Sequence, residues 1–126
     1  MPPRNLIFES KESGEKFEIP LAHNSVVVFS VASNRQLRHK IVLNAGARAA
    51  ENRWLGVTFR AAKTVLRFRE GRAYLPQGAR LVLADEDQRR EFYQLRRREN
   101  NETDFDYPPL AYTVSASDLM PPVAAE

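Results

Sequence analysis

The chain has 126 residues, of which 43% are apolar and 28% charged, a composition typical of one globular domain. It contains no cysteine, which excludes disulfides, thiolate metal sites and cysteine nucleophiles. No apolar run reaches the roughly 18 residues of a membrane span, so we expect an intracellular protein of the cytoplasm or nucleus without a membrane partner. The net charge of +3 is a mild excess that permits an anionic partner such as nucleic acid.

The first part of the chain has the pattern of short β-strands. A hairpin is expected at the start, with Gly14 in its turn and Pro20 ending the pairing. The run VVVFSV is apolar on both faces, which predicts a central strand. The predicted strands cover residues 5–9, 15–19, 26–31, 38–43, 53–60 and 64–68.

The residue pattern changes after Gly71, where a loop with short extended segments is expected. Asp85 and Gln88 have the spacing of a capping box, so a helix is predicted over 85–98. The segment LAYTVS could add an edge strand. The fold class is therefore mainly β, an antiparallel sandwich or half-barrel with one late helix. We expect one domain over 1–126, with a β core in 1–70 and a helix and C-terminal extension in 71–126.

His39 is the first candidate functional residue. The two-residue period of a strand places it on one face with Leu37, Ile41 and Leu43. Two explanations of an imidazole in that position stay open: a core histidine satisfied by a neighbour, or a metal ligand.

Arginines supply the other candidates. Arg60 ends a predicted strand, where its planar fork could hold a carboxylate with two parallel hydrogen bonds, or could simply be solvated. Five more cluster in the predicted helix and could follow phosphates, although basic residues late in a helix also complement its dipole. These five are Arg89, Arg90, Arg96, Arg97 and Arg98. Asp104 and Asp106 have the pattern of an exposed acidic loop.

The segment HNSVVVFSVASNRQLRHKIVL, followed after a loop by RWLGVTFR, resembles the C-terminal half of the catalytic core of AlkB-like dioxygenases. These enzymes depend on Fe(II) and 2-oxoglutarate, and the match covers residues 22–60. The resemblance implies a partial double-stranded β-helix, which is a jelly-roll-like antiparallel barrel with iron in one mouth. It also implies oxidative demethylation or hydroxylation of a nucleic-acid or protein substrate, with alkylated nucleic acid as one candidate.

Carried over by position, the resemblance makes His39 the distal histidine ligand of the metal and sets Arg60 against 2-oxoglutarate. His23 falls in a turn where the family's histidine is not a ligand. A further family arginine would fall at Trp54, so Arg53 is the nearest candidate for that second cofactor contact.

The chain departs from the family pattern because it contains no His-x-Asp or His-x-Glu pair. Two of the three expected metal ligands are therefore missing, and Asp104 or Asp106 would be needed if the chain held iron by itself. We accordingly expect a dioxygenase fragment, inactive alone, whose open sheet edges favour self-association or a complementing chain. The alternative is a non-catalytic β-sandwich module that binds nucleic acid or protein through its basic helix.

Overall fold

The computed structural model describes residues 4–43, 53–61 and 63–123. Strands predominate, which confirms the mainly β class. They form two antiparallel sheets and one parallel sheet, and the described chain also contains one long helix. The chain divides into two compact units, residues 1–58 with 97–106 and residues 59–96 with 107–126. The expected division at residue 70 falls inside the second unit. No helix in the described ranges is long and apolar enough to cross a membrane.

The first unit contains a three-stranded antiparallel sheet. Its order is β2-β1-β3, and its strands are β1 (Arg4–Ser10), β2 (Lys16–Leu21) and β3 (Leu37–Leu43). Central β1 buries Leu6 and Phe8. The predicted hairpin and the predicted strand at 38–43 are both confirmed. Pro20 does not end the pairing, because β2 is an edge strand on which a residue without an N–H is tolerated, and Pro20 lies opposite Asn5.

The predicted central strand at 26–31 is wrong. Residues 25–30 have no regular structure, and a short helix, α1 (Val31–Gln36), follows them. Ser30 explains why a helix begins at Val31, because its hydroxyl accepts a hydrogen bond from the Ser33 N–H at 3.0 Å and caps the helix. Val26 and Val28 are left 85% and 87% exposed.

The predicted strand at 53–60 is also absent, since residues 53–61 have no ladder partner among the described strands. Apolar side chains along this segment stay in solvent, with Leu55 87% and Phe59 91% exposed. The next predicted strand is shorter than expected and later: β4 covers Arg67–Arg69.

The second unit has a small apolar core beneath two short sheets. Strand β4 pairs with β5 (Arg72–Tyr74), while β6 (Val82–Leu83) pairs in parallel with β7 (Tyr112–Thr113), inside the predicted edge segment. A 3₁₀ helix, Ala116–Leu119, follows. The core consists of Ala73, Leu75 and Leu81, with Leu66, Phe68 and Leu119 packed against them.

The long helix α2 (Glu86–Asn101) confirms the predicted helix and extends it by three residues. The capping box is present in both directions. The Gln88 N–H donates to Asp85 Oδ1 at 2.8 Å, and the Asp85 N–H donates to Gln88 Oε1 at 3.0 Å. Leu95 is the buried residue of the helix.

Candidate anion-binding surface

His39, the predicted metal ligand, lies on β3 opposite Phe8 and contacts aromatic rings. Its ring centroid is 5.6 Å from that of Phe8 and 5.4 Å from that of Phe29, and the residue is exposed. Across the described ranges, no three His, Asp or Glu side chains converge in a way that could hold a metal ion. The residues around His39 in this part of the chain therefore do not fit a three-ligand iron site.

The two residues predicted to contact the cofactor, Arg53 and Arg60, belong to different units of the chain. Arg53 lines a cleft in the first unit, and His39 is not among the residues that line it. Arg60 is exposed in the irregular segment and belongs to the second unit. Trp54, which occupies the position of the second family arginine, lies 5.3 Å from the Arg4 guanidinium.

The acidic pair near residue 105 has a structural partner. Arg35 contacts Asp104 Oδ1 at 3.3 Å and Asp106 Oδ1 at 3.0 Å, and it also donates to the Asp104 carbonyl oxygen at 2.8 Å. Hydrogen bonds to Asp106 and then Asp104 raise the pKa of Arg35. These contacts join α1 to the 102–106 segment of the same unit, so both carboxylates hold a loop in place.

Arg38 is similarly occupied by a carboxylate. It donates two hydrogen bonds of 2.9 Å to the two carboxylate oxygens of Glu9 on the neighbouring strand, and a third of 3.2 Å to Asn101 Oδ1. The hydrogen bond from Arg38 is the main cause of the lowered pKa of Glu9. Such a bidentate pair fixes the register of β1 and β3.

The helix arginines are partly neutralised by acidic neighbours. Arg90 lies 3.1 Å from Glu86 and 3.8 Å from Asp87, each within one helical turn. Arg98 binds both carboxylate oxygens of Glu102, at 2.9 and 3.2 Å. Arg89, Arg96 and Arg97 have no ion pair among the residues that the structure describes. Within the described part of the chain, the helix therefore has three arginines without an ion pair rather than five.

A denser group of arginines lies on the β4–β5 hairpin, in a segment that the sequence pattern had assigned mostly to a loop. The register pairs Arg67 with Tyr74 and Arg69 with Arg72, while Phe68 pairs with Ala73 on the opposite face. A further bridge joins Tyr74 to Arg80. Because cross-strand partners share a face, one side of the hairpin carries Arg67, Arg69, Arg72, Arg80 and Tyr74, which we name the arginine face.

The turn of this hairpin sets the register. Glu70 and Gly71 both have positive φ, +50° and +75°, as a two-residue type I′ turn requires. The alternation in RFREGRAY was the signal that sequence reasoning missed, because a Glu-Gly turn is weaker than the usual Asn-Gly or Asp-Gly turn. The other side of the hairpin packs Phe68 and Ala73 into the core of the second unit. The arginine face is thereby turned away from that core.

Every arginine of this face is exposed, and Tyr74 is half-buried. None of the four has an ion pair within the described part of the chain. Arg69 and Arg72 are directly opposed, an arrangement of like charges that disfavours the hairpin unless an anion neutralises it. The surface therefore combines concentrated positive charge, planar hydrogen-bond donors and an aromatic ring.

Comparison with known proteins yields no relative. No family model, curated protein or solved structure matches this chain.

Proposed function

We propose that this chain binds single-stranded nucleic acid through the arginine face. The observation that carries the proposal is the placement of four exposed arginines without ion pairs on one side of the β4–β5 hairpin. The β-sheet spacing separates alternate residues along a strand by about 6.6 Å and neighbouring strands by about 4.8 Å, so the cations form a compact patch. This patch replaces the basic helix as the preferred binding surface.

The chemistry of the guanidinium favours phosphate as the ligand group. Each guanidinium fork can donate two hydrogen bonds to one phosphate. Neutralising a phosphate also releases the counterions condensed on the nucleic acid, and this release favours binding. Tyr74 lies between the two arginines with which it pairs, Arg67 and Arg80. An aromatic ring among cations suits the stacking of unpaired bases, which is the usual arrangement in proteins that bind single strands without sequence preference.

The test compares two variants with the same loss of charge. R67Q/R69Q/R72Q removes three cations of the arginine face, and R89Q/R96Q/R97Q removes the three free cations of the helix. Fluorescence anisotropy with a labelled oligothymidylate of about 12 nucleotides measures both affinities. We expect the hairpin variant to bind about tenfold to hundredfold more weakly, and the helix variant to stay within about threefold of the original chain.

Three results contradict this proposal. Equal losses of oligonucleotide affinity in the two variants would mean that net charge alone governs binding. A larger loss of affinity in the helix variant would mean that the helix is the binding surface. Polyglutamate serves as the competing probe. Displacement of the oligonucleotide by polyglutamate at equal charge concentration would identify an acidic protein segment as the better ligand.

The dioxygenase fragment is a second candidate, supported by one observation of its own. Apolar side chains in the two segments that carry the family resemblance are exposed, notably Val26, Val28 and Leu55. A complementing chain that completes a double-stranded β-helix would cover them. In that completed domain, His39 would be the distal ligand of Fe(II), with Arg60 and Arg53 beside 2-oxoglutarate.

The dioxygenase-fragment hypothesis predicts two results for the purified chain. Sedimentation over a range of concentrations should reveal self-association, since exposed apolar segments and open sheet edges favour it. Adding Fe(II) and 2-oxoglutarate to the chain alone should give no decarboxylation, because two metal ligands are missing. Turnover by the chain alone would contradict the need for completion.

A further inference from the structure

The first unit contains a cleft with a buried cation at its edge. The cleft has a volume of about 880 Å³, within the range of small-molecule sites. Leu6, Leu21 and Ile41 give it an apolar floor, while Thr58 and Ser25 add hydroxyl groups. All of these residues belong to the first unit, which does not contain the arginine face.

Arg4 is the unusual member of the lining. It is the first residue of β1, on the same face as buried Leu6 and Phe8, and only 7% of it is exposed. Its Nη1 atom is buried and has no hydrogen-bond partner among the described residues. A buried guanidinium nitrogen without a hydrogen-bond acceptor is costly to desolvate, so this position favours a ligand that can accept from it.

Trp54 is the aromatic neighbour of this cation. Its ring centroid lies 5.3 Å from Arg4 Cζ, a distance suited to a cation–π contact. The indole also folds back over Gly56, where a Cβ would stand 2.5 Å from Trp54 Cη2. Gly56 thus leaves room for the indole beside Arg4. Trp54 remains 46% exposed, so the ring has solvent on one side.

We propose that this cleft binds a small organic acid, with its carboxylate on Arg4 and its aliphatic chain along the apolar floor. A carboxylate supplies one oxygen to accept from Nη1, which has no partner among the described residues, and a second oxygen in the plane of the guanidinium fork. Arg53 lines the same cleft and adds a second cation for the anion. The apolar floor favours an alkyl carboxylate over a purely polar anion, because burial of each methylene adds to affinity.

The tryptophan provides a direct readout, since Trp54 is the only tryptophan of the chain. Titration of the full chain with octanoate should change Trp54 fluorescence saturably as the carboxylate enters beside the indole. Octanol has the same alkyl chain without the charge, and inorganic phosphate has charge without the chain. We expect both to bind at least tenfold more weakly than octanoate.

Two substitutions test the role of Arg4. R4M removes the charge while keeping an apolar side chain of similar length, and should weaken octanoate binding at least tenfold while raising the unfolding temperature of the free chain. R4K keeps the charge but loses the fork, and should give an intermediate affinity. R67M, an equal loss of charge on the arginine face, should bind octanoate like the original chain.

The proposal is overturned if octanoate leaves the fluorescence unchanged, if octanol or phosphate binds as well as octanoate, or if R4M and R4K both retain full affinity. Oligonucleotide binding is measured on the same samples, and R4M should not change it. Loss of one activity without the other therefore separates the two proposals.

Discussion

The arginines of α2 and those of the β4–β5 hairpin are the same residue type in two different settings. On the helix, acidic residues one turn away pair with Arg90 and Arg98. On the hairpin, Arg69 faces another arginine across the strands, and the only nearby acid in the sequence, Glu70, is in the turn with positive φ. The comparison teaches that pairing, rather than the number of cations, decides where a mildly basic chain can receive an anion.

The largest expected effect is the salt dependence of oligonucleotide binding. If all four arginines of the face contact phosphates of a single strand, affinity should fall about fiftyfold between about 50 and 200 mM salt. In R67Q/R69Q/R72Q the same change should cost only about threefold, because one contact of the face remains. A steep dependence that persists in this variant would show that the phosphates bind elsewhere.

A smaller effect should follow from relieving the opposed charges. Replacing Arg72 by Thr removes the repulsion with Arg69 and adds a residue that favours strands. Thermal unfolding should show a gain of about 0.5 kcal/mol, while oligonucleotide affinity falls about fivefold. Loss of stability in this variant would contradict the view that the face is held in a disfavoured arrangement.

Replacing an arginine that is paired with a carboxylate should lower stability and leave oligonucleotide affinity almost unchanged. Arg38→Gln breaks the bidentate contact with Glu9 and the contact with Asn101. We expect a lower unfolding temperature with oligonucleotide affinity within about twofold of the original, since this cation is already occupied. Arg67→Gln is the matched control, in which affinity falls and the unfolding temperature hardly changes.

The smallest expected effect concerns acid sensitivity. The pKa of Glu9 is lowered below its usual 4.5 by the hydrogen bond from Arg38, with the Arg38 charge adding to the effect. A depressed pKa in the folded state stabilises the protein above the unfolded value, and this contribution is lost as pH falls through the folded pKa. Unfolding followed below pH 4.5 should therefore be less pH-dependent in Glu9→Gln than in the original chain. An unchanged profile would mean that the pair contributes nothing to folding.

Part of the fold could be predicted from local patterns in the sequence. The hairpin around Gly14 and the capping box at Asp85 depend on residues close in sequence, and both are present. The run VVVFSV failed as a strand because the Ser30 cap redirects the chain into α1, and apolar character alone cannot tell whether a partner strand exists. RWLGVTFR likewise has an apolar pattern but no partner strand among the described residues.

The candidate surface could not be predicted from local sequence patterns, because it depends on strand register and on contacts between residues distant in sequence. The arginine face arises from the register of β4 and β5, which the positive φ values of Glu70 and Gly71 determine. Whether a given arginine is paired depends on contacts that are distant in sequence, such as Arg35 with Asp104 and Asp106. Composition indicated an anionic partner, but only the geometry distinguishes occupied from available cations.

The most direct test of the central claim is a nuclear magnetic resonance titration that observes the arginine side-chain Nε–Hε groups. Adding an oligothymidylate of about 12 nucleotides should shift the signals of Arg67, Arg69, Arg72 and Arg80 together. The signals of Arg35, Arg38, Arg90 and Arg98 should remain in place, because carboxylates already hold those guanidinium groups. Shifts confined to the helix arginines, or spread evenly over all arginines, would contradict the account.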